Sequence, residues 1–191
     1  GREVASVFRT FLAKQHGIFI EVEEHIGPDQ CDPVEILALL LSGEFDIVHY
    51  AGHGDYNRDN PAGSGWIFGK DCVLSAREIF RARKVPLLVF ANACFSAVTT
   101  GGQALLPDEQ SKGLVSIAQA FFERGVSNYL GSGWPVNDEQ ATQLARTFYE
   151  GLLTGRSICD LSKRDEGRSV PMGTPGELTN TTVIRTTSCL R

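Results

Sequence analysis

Apolar residues at Val4, Val7, Phe8, Phe11 and Leu12 recur at helical spacing, which predicts an amphipathic helix ending near Gly17. Ile18 to Val22 then reads as a strand. Pro33, well suited to a first helical position, opens a second helix buried through Ile36, Leu37, Leu39, Leu40 and Leu41. Phe45 to His49 is the next strand, with Gly52 and Gly54 expected to end it. Residues 55–65 (DYNRDNPAGSG) form a polar, turn-rich loop. Trp66 to Phe68 and Cys72 to Leu74 suit a short hairpin, and Ser75 with Glu78 forms a capping box at a helix start. Pro86 to Ala91 is almost wholly apolar, as a strand covered on both faces must be. After a Gly-rich loop at 99–113 come a helix near Leu114 to Glu123, a strand at Val126 to Gly131 and a helix from Asp138 to Leu153. Helices alternate with strands, so the class is α/β with a mainly parallel sheet.

The pattern breaks after Leu161. Residues 162–191 carry little apolar content and four threonines between Thr181 and Thr187. Val183-Ile184 offers one short strand there, but the composition favours a flexible tail. The ordered domain is therefore expected over residues 1–161.

Composition narrows the class further. At 42% hydrophobic and 21% charged residues the chain has the balance of a packed domain rather than a disordered one. The net charge of −5 is spread without a basic block, so no face is suited to neutralising phosphates, and nucleic acid is not an expected partner. The longest apolar run, at Pro86 to Ala91, falls far short of the roughly 20 residues of a membrane helix. No secretory leader opens the sequence, and its single methionine is Met172, so Gly1 reads as an internal position of a longer or processed polypeptide. Five scattered cysteines without a C-x-x-C pair suggest reduced thiols and a cytoplasmic setting.

Two strand ends carry reactive groups: His49-Tyr-Ala-Gly-His53-Gly54 and Asn92-Ala-Cys94-Phe-Ser96. In open α/β sheets, functional groups gather at the carboxyl ends of strands. If these strands are neighbours, His53 and Cys94 lie on one edge. A thiol attacks as thiolate, scarce at neutral pH when its pKa is about 8.5, and an imidazole beside it takes the proton and later returns it to the leaving amine. A flanking glycine lets a substrate carbonyl approach backbone N–H groups that stabilise the oxyanion. The bland alternatives remain: a cysteine after a strand serves as a small buried hydrophobe, and a histidine as a structural residue. His49 and His53 stand four apart, a spacing that clusters metal ligands on helices, but here it falls on a strand with no third ligand in view. No metal and no other cofactor is expected.

HYAGHG followed by NACFS resembles the CHAT family of caspase-like domains, often found beside tetratricopeptide repeats. The resemblance continues through PAGSGWIFG, LSAREI, GLVSIAQAFFERGVSNYLGSGWPVND and FYEGLLTGRSI, and covers roughly residues 1–161. Asn92-Ala-Cys94, with His53 about 40 residues upstream, is similar to the caspase signature, whose histidine precedes its cysteine by about 50. The resemblance implies a caspase-like three-layer sandwich and a bacterial, cytoplasmic cysteine endopeptidase. Its dyad falls on His53 and Cys94, with the amides of Gly54 and Cys94 as oxyanion donors. It makes His49 structural, orienting the His53 loop, and Ser96 a helix cap. Gly131 to Asp138 resembles a W-x-V-x-D stretch of CHAT proteases and separases, which implies a substrate pocket with Trp134 as wall and Asp138 as a charged floor for a basic side chain. Asn137 or Asp138 equally suits a helix cap, with Gln140 completing the box. The implied partners are a protein substrate and an adjoining tetratricopeptide or sensor region that restrains the enzyme, with neither nucleic acid nor membrane. The alternative is a non-enzymatic interaction scaffold. Against the family's pattern the chain reads as truncated at both ends, lacking a strand before its first helix, which leaves a gap at the centre of the sheet.

Overall fold

The computed structural model describes residues 2–12, 19–26, 32–55, 60, 63–68, 72–82, 84–94, 117–131, 138–162 and 180–187. Among these, helices pack on both faces of a mixed sheet. The strands are β1 (Phe19–Ile26), β2 (Ile47–Asp55), β3 (Gly65–Phe68), β4 (Cys72–Ser75), β5 (Leu88–Cys94), β6 (Asn128–Gly131) and β7 (Asn180–Thr187). The helices are α1 (Arg2–Leu12), α2 (Pro33–Ser42), α3 (Ala76–Ile79), α4 (residues 117–123), α5 (Asp138–Leu153) and α6 (Ile158–Ser162).

Five strands lie side by side in the order β1-β7-β2-β5-β6. β2, β5 and β6 run parallel, while β7 runs antiparallel to both of its neighbours. The last two residues of β2 pair with β3, and β3 with β4, in antiparallel fashion.

Local chemistry accounts for the elements. Asp32 caps α2, its Oδ1 accepting from the Val34 N–H at 2.9 Å, and Pro33 follows in the first turn. Gly43 closes that helix in the left-handed region at φ 65°, where a side chain would be strained and would also collide with Lys84. The Glu78 carboxylate accepts from the Ser75 N–H at 2.9 Å, as a capping box requires. Val4, Ala5 and Phe8 form the buried stripe of α1.

Strand alternation divides the core into two halves. Ile47 and His49 of β2, with Leu88 and Phe90 of β5, face α1 and α5, where Val4, Phe8, Ala145, Phe148 and Tyr149 cover them. Val48, Tyr50, Val89 and Ala91 face Ile36 and Leu40 of α2 and Ile117, Ala120 and Phe121 of α4, with Trp66 and Phe68 beside them.

Three expectations change. β2 does not stop at Gly52: it runs to Asp55, because β5 pairs with it as far as His53 and β3 takes up Gly54 and Asp55. Ladder hydrogen bonds to neighbouring strands here override the weak intrinsic preference of glycine for strands. β5 likewise runs past Ala91 to Cys94. Finally, residues 180–187, read as part of a flexible tail, form an eight-residue strand. Pairing on both edges orders a segment whose composition alone does not demand it. β7 fills the position between β1 and β2 and pairs with both.

Candidate functional site

β2 and β5 run in register from Ile47 opposite Leu88 to His53 opposite Cys94. That last rung brings together the two reactive positions, with 41 intervening steps of chain folded between them into β3, β4 and α3. Neighbouring strands are about 4.8 Å apart, so the backbones of His53 and Cys94 are adjacent on this rung. Both residues belong to the strands themselves rather than to the loops after them, which fixes their backbones through the ladder.

The peptide on the far side of His53 is also held. Tyr50 is fully buried, and its hydroxyl lies 2.7 Å from the His53 carbonyl and 2.8 Å from that of Ile67 in β3. Its ring stacks on Trp66 with centroids 4.5 Å apart and planes within 5°. Gly54, the next residue, is buried and sits opposite Trp66.

His49 occupies a different environment. It is buried between Phe90 and Tyr149, ring centroids 5.1 and 5.7 Å away, and its Nδ1 lies 3.2 Å from the Tyr149 hydroxyl. Burial lowers its pKa to about 3, so the ring stays neutral at physiological pH. His49 faces Phe90 across the ladder, two rungs short of the His53 level on its own face. Tyr149, in the same dry setting, has its phenol pushed well above the usual value. Among the described residues no group of three His, Cys, Asp or Glu side chains is gathered to hold a metal ion.

At the same end of β5, the Asn92 side chain donates to the Ala141 carbonyl at 3.2 Å. This ties β5, two residues ahead of Cys94, to the first turn of α5. Asp138 begins that helix and is exposed. Trp134, Asn137 and Ser96 lie outside the described residues.

The model of the CHAT domain family matches residues 3–164. The chain belongs to the CHAT domain family. A comparison with curated proteins finds no match. Within this CHAT domain the matched residues take in β2, β5 and α5, hence both reactive positions, whereas β7 lies beyond them. No helix among the described residues is long and apolar enough to cross a membrane.

Sequence reasoning singled out His49, His53, Gly54, Cys94 and Asp138 but passed over Tyr50, Trp66, Asn92 and Tyr149. Tyr50 sits inside the HYAGHG motif, so its place between two histidines was the one available signal. The partners of the other three depend on tertiary packing that no sequence spacing encodes.

Proposed function

We propose that this CHAT domain is a cysteine endopeptidase of caspase-like architecture, with Cys94 as nucleophile and His53 as its general base and acid. The observation that carries this reading is the shared rung of His53 and Cys94 at the carboxyl ends of two parallel strands. Cys94 attacks the scissile carbonyl as thiolate while His53 holds the proton. The tetrahedral oxyanion is met by the N–H groups of Gly54 and Cys94, and His53 then protonates the departing amine. Water, activated by the same imidazole, hydrolyses the thioester and restores the thiol.

In this reading the segment leading into α5 forms the pocket for the residue before the scissile bond. Trp134 supplies a wall and Asp138 a carboxylate for a basic side chain. The Asn92 bond to Ala141 supports the pocket's placement, since it brings the start of α5 to the Cys94 end of β5. The substrate is an intracellular protein. The family resemblance supports a bacterial, cytoplasmic setting and an adjoining tetratricopeptide or sensor region as regulator. The mechanism calls for no cofactor.

A peptide-library cleavage assay tests the proposal. Turnover by the protein that disappears in Cys94→Ala supports it, because alanine keeps a small apolar volume at that position. Cleavage at an undiminished rate by folded Cys94→Ala overturns it. A protein that cleaves nothing, and whose Cys94 alkylates no faster than the exposed Cys159, is instead an interaction scaffold.

A further inference from the structure

Tyr50 and His53 belong to one strand but face opposite sides of the sheet, three residues apart. The Tyr50 hydroxyl nevertheless reaches the backbone carbonyl of His53 at 2.7 Å and that of Ile67 at 2.8 Å. Its single proton is shared between two acceptors, one on β2 and one on β3. The ring has no freedom to swing away: it is fully buried, stacked flat on Trp66 and tilted against Phe68 with centroids 5.2 Å apart.

The carbonyl so held belongs to the same peptide unit as the Gly54 N–H. The described peptides include no cis bond, so this unit is planar and trans, and its N–H points away from its carbonyl. Fixing the carbonyl therefore fixes the direction of the N–H as well as the Cα from which the imidazole hangs. Accepting a hydrogen bond also polarises the peptide and makes its N–H a better donor.

We propose that Tyr50 is a positioning residue for catalysis: its hydroxyl sets the His53–Gly54 peptide, and through it both the imidazole and the Gly54 oxyanion donor. This rests on the His53–Cys94 reading above. A hydroxyl on the buried face of the sheet thus governs the geometry of groups at the reactive edge, without touching substrate.

The test is the pH profile of Cys94 alkylation by iodoacetamide, followed residue by residue by mass spectrometry in the wild type and in Tyr50→Phe. Phenylalanine keeps the ring and its stack on Trp66 and removes only the hydroxyl. The wild type is expected to show Cys94 reacting with an apparent pKa below the ordinary thiol value. In Tyr50→Phe that pKa rises by about one pH unit, slowing the reaction near pH 6.5 about tenfold as the thiolate fraction falls. The exposed Cys159 reacts equally in both proteins and serves as the control. If Tyr50→Phe fails to fold, 4-fluorophenylalanine at position 50 restores the lost volume without a donor and gives the same comparison. A Cys94 profile unchanged from the wild type, in a folded variant, overturns the positioning role while leaving the dyad standing. An ordinary thiol profile in the wild type itself overturns the dyad, and this proposal with it.

Discussion

The His49 imidazole and the Tyr149 hydroxyl meet at 3.2 Å in the layer between β2 and α5, a hundred residues apart in the chain. Both groups are buried, so the bond couples β2 to the helix that begins at Asp138. It also makes folding sensitive to acid. In the unfolded chain His49 titrates near 6.5, but in the folded protein burial keeps it neutral down to about 3. Between these values the unfolded state binds the extra proton, so stability from this group is complete above pH 6.5 and is lost as the pH falls toward 3. The loss is bounded at about 5 kcal/mol. Urea unfolding at a series of pH values should show the decline in the wild type and a flatter dependence in His49→Gln. Equal slopes in the two proteins would refute this.

Tyr149→Phe removes the hydroxyl and leaves the buried Nδ1 of His49 without that partner. We expect a loss of about 1–3 kcal/mol at pH 7.5, where the imidazole is neutral in both states. Thermal or urea unfolding measures it, and a change below about 0.5 kcal/mol would show that the bond contributes little.

His53→Ala should lower peptide turnover by about 10²–10⁴-fold, the usual contribution of a positioned general base, with little change in melting temperature because the residue is only half-buried. The activity should survive EDTA and vanish on alkylation. Among the described thiols Cys72 is a poor competitor for the reagent, since burial and the Glu78 and Asp32 carboxylates push its pKa up. Activity that depends on added zinc or calcium would sink the dyad mechanism.

Asp138 distinguishes recognition from capping. As the first residue of α5 its carboxylate favours the positive end of the helix, an effect of at most about 1 kcal/mol that is blind to substrate. A pocket carboxylate instead selects for basic residues. Asp138→Asn is expected to lower cleavage after Arg and Lys at least tenfold relative to Leu, with the melting temperature nearly unchanged. An unaltered preference with lowered stability would leave Asp138 a helix-terminal charge only.

Much of the fold could be read directly because local signals and tertiary needs agree. The Val4–Phe8 stripe, Pro33 at the start of α2, the Ser75–Glu78 box and the apolar run of β5 each have one physical reading, and the structure holds each of them. Where they disagree, the sequence misleads. Gly52 and Gly54 signal an end to β2, yet pairing on β5 and β3 carries the strand through them and puts His53 on a rung instead of in a loop. The threonines of β7 look like tail composition until a neighbour on each edge takes up their amides. The pairing of His53 with Cys94 was legible only as a conditional on strand adjacency, and the Tyr50 clamp was not legible at all. Register and long-range packing decide both.

Val183 tests the weight of β7, since it stands opposite Glu23 on one side and Val48 on the other. Proline there removes an N–H from a strand paired on both edges and should destabilise the protein by about 3 kcal/mol or more, read as a lowered urea midpoint. An unchanged midpoint would mean that the sheet does not depend on this strand.

The place of β7 has a further consequence for how the molecule comes to be built. β1 leaves the ribosome long before its sheet partner β7, which comes last in chain order among the described strands. Until residue 187 is free, β1 has a bare edge facing the slot, and β2 has another over residues 47–51. Non-local pairing of this kind closes slowly, and open strand edges invite pairing with other chains. The nascent chain is thus open to aggregation in the interval between the making of β2 and the making of β7, while the joint between β1 and β2 stands empty.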